Sequence, residues 1–282
     1  MRWQDGRRSN NVEDRRGIRV GRVGGISGLG LLAVLVVSWL FGLDPTQLLQ
    51  VLNGPAAAVP SGYEQRAPRA TNPAEDRLKD FASVVLAETE DAWGAIFERA
   101  GSRYRPPRMV LFSGAVQSAC GTADAAVGPF YCPGDAKLYL DLSFFDQLSR
   151  MGGPGEFARA YVIAHEVGHH VQNLVGTSDK VAAAGRRGRS GANSLSVKLE
   201  LQADCYAGIW AHHADRVKGI VESGDVESAL RAAAAIGDDT LQRRGQGYVV
   251  PDAFTHGTSA QRVEWFRRGY ASGSVEACDT FR

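Results

Sequence analysis

Ala164-His165-Glu166-Val167-Gly168-His169-His170-Val171-Gln172-Asn173-Leu174 is the stretch on which the reading of this 282-residue chain turns. His165 and His169 are four residues apart, so on a helix they project from one face and can share one ion. The neighbours Val162, Ile163, Ala164, Val167 and Val171 are apolar, which makes this a largely buried helix. Two imidazoles and a carboxylate are costly there unless they are coordinated. Glu166, beside the first imidazole, is placed to take a proton from water activated at a metal and to pass it to a leaving amine. Gly168 lets another backbone approach between the two histidines. His170 falls on a different face, where it either supports a ligand or meets solvent.

Working outward, a catalytic zinc site needs three protein ligands and an open position. The sequence predicts a second helix from about Ser196 to His213, carrying Glu200-Leu201-Gln202-Ala203-Asp204. Glu200 would complete a His-His-Glu set. Asp204, one turn later on the same face, could accept a hydrogen bond from the free ring nitrogen of a liganding histidine and fix its tautomer. His212 and His213 compete as ligands but sit at the end of that helix. Further on, Thr255-His256-Gly257-Thr258-Ser259-Ala260-Gln261-Arg262 offers an imidazole and a guanidinium that could stabilise an oxyanion. By spacing alone, His256 serves equally well as a helix cap and Arg262 as an ion-pair partner of Glu264 or Asp252.

The rest of the chain frames these helices. Leu78, Phe81, Val85, Leu86, Trp93, Ile96 and Phe97 recur at helical intervals from about Glu75 to Gly101, and Met109-Val110-Leu111-Phe112 reads as a strand. Gly128 to Phe145 reads as a hairpin: Phe130-Tyr131-Cys132, a Pro133-Gly134-Asp135 turn, then a second arm of Lys137, Leu138, Tyr139, Leu140, Asp141 and Leu142. That second arm, placed on a sheet edge beside the site, could pair with an extended peptide. Gly176 to Asn193, rich in Gly, Ala, Ser and Arg, reads as a basic loop near the site. Two further helices are expected at Asp225 to Ile236 and Ser259 to Tyr270.

The formal net charge of +1 gives no electrostatic reason to expect nucleic acid as a partner. The first 22 residues nonetheless hold Arg2, Arg7, Arg8, Arg15, Arg16, Arg19 and Arg22. Residues 24–43, GGISGLGLLAVLVVSWLFGL, carry no charge and are long enough to span a bilayer. The expected organisation is therefore a basic cytoplasmic segment (1–23), a transmembrane helix (24–43), a Pro/Ala-rich linker (44–74) and an extracytoplasmic domain (75–282). Four cysteines suit an exported domain. Cys120 with Cys132 would pin a short loop and leave Cys205 with Cys278. Spacing does not choose among the three possible connectivities, nor exclude free buried thiols.

These blocks resemble a known family, the YpfJ-like neutral zinc metallopeptidases of bacteria. The resemblance is carried by MRWQDGRRSNNVEDRRG, CGTADAAVGPFYCPGDAKLYLDLSFF, AHEVGHHVQNL, ELQADCYAGIWAHHA, HGTSAQRVEWFRRGY and the terminal CDTF. More distantly, the chain is similar to HtpX-like and CAAX-prenyl endopeptidases, gluzincins that complete HExxH with the glutamate of ExxxD. Those relatives carry a substrate-side edge strand and a later His and Arg six apart, as His256 and Arg262 are. The resemblance implies an α+β zincin-like domain, mainly helical with a small sheet. It implies one Zn2+ held by His165, His169 and Glu200, Asp204 behind a ligand, and Glu166, His256 and Arg262 as catalytic groups acting on a peptide or protein substrate. The rival expectation is a zinc-binding envelope scaffold that hydrolyses nothing, against which the intact base Glu166 argues.

Overall fold

The computed structural model describes residues 1–17, 72–185 and 194–282. The apolar segment 24–43, most of the linker and the end of the basic loop lie outside the described residues. Among the described residues, no helix is long and apolar enough to cross a membrane. The N-terminal residues and everything from Ala70 onward belong to one compact unit.

The first long helix, α1 (Pro73–Arg99), begins where the Asn72 side chain accepts from the Ala74 backbone N–H, with Pro73 opening the helix and Glu75 and Asp76 in its first turn. These features satisfy or complement the unpaired N–H groups of a helix start. It buries Phe81, Val84, Val85, Leu86 and Trp93. Four strands form the main sheet: β1 (Val12–Asp14), β2 (Arg108–Phe112), β5 (Phe130–Cys132) and β6 (Lys137–Asp141), in the order β1-β2-β6-β5. β2 runs parallel to both β1 and β6, whereas β5 and β6 form an antiparallel hairpin.

This order corrects the expected substrate strand. Among the described residues, Lys137 to Asp141 pairs with β2 along its whole length and with β5 over Lys137–Tyr139, leaving only Leu140 and Asp141 without a β5 partner, so the outer edge on the hairpin side belongs to β5. Its faces are covered too. Leu138 and Leu140 join the main core, while Tyr139 packs with Val110, Phe112, Val116 and Cys132 under a separate small hairpin, β3 (Ala115–Ser118) and β4 (Gly121–Asp124). A Cys120–Cys132 disulfide ties that hairpin to β5.

The short α2 (Phe144–Arg150) leads to α3 (Glu156–Leu174), the helix bearing the HExxH stretch, with fourteen buried residues. Around it lie α1, α5 (Leu195–Arg216) and α6 (Asp225–Ala235). The expected loop after Gly176 is helical over its first half, as α4 (Thr177–Gly185). After α7 (Asp238–Gln246), α8 (Ser259–Ser272) opens with a Thr258/Gln261 capping box and crosses α5 in backbone contact. A Cβ on Gly269 would lie 1.9 Å from the Cys205 carbonyl oxygen, and one on Gly208 would lie 2.1 Å from that of Phe266. Only glycines allow this approach, and a Cys205–Cys278 disulfide closes the same corner.

Residues 1–17 of the basic segment expected over 1–23 fold together with the domain expected over 75–282. Trp3 is buried, with its ring edge-on to Phe81 at 5.4 Å, and β1 pairs Val12 with Met109 and Asp14 with Leu111. Three of the arginines expected to face a cytoplasmic membrane surface pair with carboxylates of α1 instead. Arg7 binds Glu90 and Asp91, Arg8 binds Asp80, and Arg16 binds Asp76 as well as Asp14. Residues 1–17 and the domain are thus one fold.

Candidate metal centre

Local helix geometry builds the first half of the site. On α3, His165 and His169 turn their rings to one face, with ring centroids 4.8 Å apart. The second half depends on the α3–α5 crossing. A Cβ on Gly168 would lie 2.9 Å from the Ala203 carbonyl oxygen, so the absent side chain lets α5 bring Glu200 over the two imidazoles. Glu200 Oε2 lies 3.2 Å from His165 Nε2, and Oε1 lies 3.5 Å from His169 Nε2. One ligand atom from each of the three residues falls within 4.8 Å of the others.

The donor set fits zinc. Four ligands at bond lengths of about 2.0–2.1 Å around a tetrahedral Zn2+ stand roughly 3.3 Å apart, which matches the observed carboxylate–imidazole separations. Three carboxylates, Glu166, Glu200 and Asp204, face one guanidinium, Arg262, in this buried cluster. A dication between neutral imidazoles would cancel the remaining negative charge.

Each imidazole is oriented from behind. Asp204 Oδ1 lies 2.8 Å from His165 Nδ1, which leaves Nε2 as the ligand atom. Asp204 is fully buried and also accepts from the Tyr161 hydroxyl at 2.5 Å and from Arg262 through Nε at 2.8 Å and Nη2 at 3.0 Å. His169 Nδ1 is held at 2.9 Å by the side-chain oxygen of Gln172, whose amide nitrogen donates to the Leu199 carbonyl and to Gln202. Tyr161 and Gln172 were not picked out from the sequence. Their positions one turn before His165 and three residues after His169 are the signal that could have found them.

Electrostatics follow from this packing. Burial opposes charge on His165, but Asp204 and Glu200 outweigh it and lift the imidazole to about 10. Burial likewise opposes charge on His169, and Glu200 more than offsets it, raising its pKa. Glu166 is raised, chiefly by burial. For Glu200, burial is overcome by the two histidines, which hold it well below the ordinary carboxylate value. For Asp204, burial is overcome by Arg262 and His165, bringing it down to about 2.

The centre opens into a cleft of about 660 Å³ with Val127, Phe130, Tyr131, Phe144, Val162 and Leu241 in its walls. His256 also lines it, half exposed, with Nδ1 at 3.2 Å from Asp238, and that carboxylate raises the imidazole's pKa. Asp238, another residue missed in the sequence, also accepts from the backbone N–H groups of Thr255, His256 and Gly257 and so shapes the turn that carries His256. Arg262 departs from expectation. Although it touches the cleft, it is 2% exposed and its N–H groups are engaged by Asp204, Tyr161 and the Ile236 carbonyl. It grips the group that orients His165, and these bonds use four of its five N–H groups. His212 bonds the Tyr270 carbonyl and His213 lies at the end of α5, so neither joins the metal cluster.

The family model for "Putative neutral zinc metallopeptidase" matches residues 1–281. The uncharacterized protein YpfJ of Escherichia coli is 47% identical over 292 aligned positions, covering 100% of this chain and 99% of the relative. The uncharacterized protein Rv2575 of Mycobacterium tuberculosis is 44% identical over 214 positions, 71% of each chain. No solved structure matches the chain.

Proposed function

The chain belongs to the neutral zinc metallopeptidase family, and from that premise we propose that it is an endopeptidase hydrolysing peptide bonds at a zinc held by His165, His169 and Glu200. The observation that carries this reading is the convergence of those three side chains within 4.8 Å beside the buried carboxylate of Glu166. Bound zinc would acidify a water molecule and polarise the scissile carbonyl. Glu166 takes the proton from the attacking water and returns it to the leaving amine. Its burial, which raises its pKa, suits a group that must both accept and release a proton near neutrality. His256, held through Nδ1 by Asp238, faces the cleft to stabilise the developing oxyanion. The substrate backbone pairs with the outer edge of β5, since Phe130 and Tyr131 line the cleft and β5 covers β6 from Lys137 to Tyr139.

The two disulfides support a location outside the cytoplasm. The apolar segment 24–43 supports membrane attachment. Because 1–17 and 72–282 share a fold, the reading places both on the same face of the membrane. A membrane-impermeant thiol reagent should label Asp5→Cys and Arg282→Cys alike from outside intact cells. Labelling of only one would restore the single-crossing arrangement.

The decisive test is zinc content beside peptide-library cleavage, for the native protein and Glu166→Gln. One zinc per chain in both, with cleavage falling roughly 10²–10⁴-fold in the variant, is expected. Unchanged cleavage would remove Glu166 from the mechanism. Zinc without cleavage in either protein would favour the silent scaffold.

A further inference from the structure

His170 follows the second ligand histidine and takes no part in the metal cluster, yet it is 2% exposed. Its Nε2 lies 2.6 Å from the Arg105 carbonyl oxygen, which can only accept, so Nε2 carries the proton. A buried neutral imidazole then presents Nδ1 as an acceptor, and the Tyr131 hydroxyl stands 3.1 Å from it. That same hydroxyl accepts from the Asn173 side-chain amide at 2.9 Å. The rings of Tyr104 and Tyr131 pack edge-on against the imidazole at 5.9 and 5.4 Å. Every polar group in this set has a defined direction: Asn173 donates to Tyr131, Tyr131 to His170, and His170 to Arg105.

Two facts turn this network from packing into placement. Tyr131 is the middle residue of β5, paired with Leu138, and lines the cleft. His170 and Asn173 stand on the same turns of α3 as the zinc ligand His169. The hydroxyl proton is committed to His170, so Tyr131 has no donor left for an oxyanion and cannot be a catalytic residue in this arrangement. What the three side chains do is join the free edge strand to the metal-bearing helix at a fixed separation.

We infer that Tyr131, His170 and Asn173 form a positioning clamp that sets the β5 edge at the distance from zinc at which an extended peptide can pair with the strand while its carbonyl reaches the metal. The inference rests on the peptidase reading. It specifies a ligand chemistry: a chain in β conformation long enough to run along β5, as opposed to a small group that touches only the metal.

The test needs no turnover. In zinc-loaded Glu166→Gln protein, a blocked apolar octapeptide probes the strand and acetohydroxamate probes the metal alone. Adding Tyr131→Phe should weaken the octapeptide about tenfold and leave acetohydroxamate affinity and zinc content unchanged. Adding His170→Phe should behave the same way. His170→Gln should retain affinity, because an amide supplies one donor for Arg105 and one acceptor for Tyr131. Equal loss for both ligands, or no loss for the peptide, would overturn the clamp. An octapeptide that fails to bind the zinc-loaded Glu166→Gln protein at all would overturn the peptidase reading itself, and the clamp with it.

Discussion

The buried pair Asp204–Arg262 can be broken one side at a time, and the structure says what each break costs. Asp204 is 0% and Arg262 2% exposed, and they meet through two charge-assisted hydrogen bonds of 2.8 and 3.0 Å. Removing one partner of such a pair leaves an uncompensated buried charge, at a cost of about 3–5 kcal/mol. Arg262→Met strands a carboxylate beside His165 and Tyr161. Asp204→Asn strands the guanidinium and withdraws the acceptor that fixes His165. In a domain of this size each kcal/mol moves Tm by roughly 2–4 °C, so either variant should unfold roughly 6–20 °C below the native protein. Zinc adds its own binding free energy to the native state, so unfolding by urea or heat is compared first in zinc-free protein. Chelator competition then measures affinity, which should fall about 10–100-fold in Asp204→Asn. The double variant removes both charges together and should lose at least about 2 kcal/mol less than the sum of the singles. Strictly additive losses, or single variants within about 1 kcal/mol of native, would refute the view that Arg262 acts through Asp204.

Three further outcomes follow from other parts of the fold. Gly168→Ala places a Cβ 2.9 Å from the Ala203 carbonyl oxygen; it should cost about 1–3 kcal/mol and, by pushing α5 away, weaken zinc binding, whereas unchanged affinity by chelator titration would separate that crossing from Glu200 placement. Trp3→Ala empties a buried site against Phe81 and should destabilise by about 3–5 kcal/mol in urea unfolding, while an effect within 0.5 kcal/mol, the scale of a surface change, would show that the arm is not part of the core. The arm should also be acid-labile. Arg16 and then Lys79, against burial, hold Asp14 far below its ordinary value of 3.8, and Arg8 holds Asp80 below it. Carboxylates depressed in the fold stabilise it fully above the unfolded value and lose that contribution as pH falls through the folded ones. Protease nicking near Arg15 and Arg16 should therefore rise below about pH 4, and protection unchanged down to pH 2 would contradict these pairs.

The site was legible to the extent that it is local. His165, Glu166 and His169 follow from helix periodicity alone, and the Glu200-to-Asp204 spacing carries the next two roles because one turn of α5 serves both. Gln172 and Tyr161 obey the same periodicity but carry no charge, so nothing in composition singles them out. Non-local pairing was not legible. The Phe130 to Leu142 hairpin predicts that β5 and β6 pair, but only the fold shows β2 on the far side of β6, which makes Phe130–Cys132 the edge strand and leaves Lys137–Tyr139 paired on both sides. Nor does local alternation show that the β3–β4 hairpin covers Tyr139. At the N-terminus, a run of arginines beside an apolar stretch reads as a membrane flank. The α1 carboxylates that pair with Arg7, Arg8 and Arg16 are some sixty to eighty residues away and become visible only in three dimensions.

The pairing of β1 with β2 also sets an order of events in time. Val12 is synthesised roughly a hundred residues before its neighbour Met109. Closing a loop of that length costs about 4 kcal/mol of chain entropy by logarithmic scaling, and the local hairpin and helices can form before it is met. The β1 arm leaves the ribosome well before its partner strand and is then among the last parts to find its place, and Trp3 fluorescence in refolding would report the slowest step.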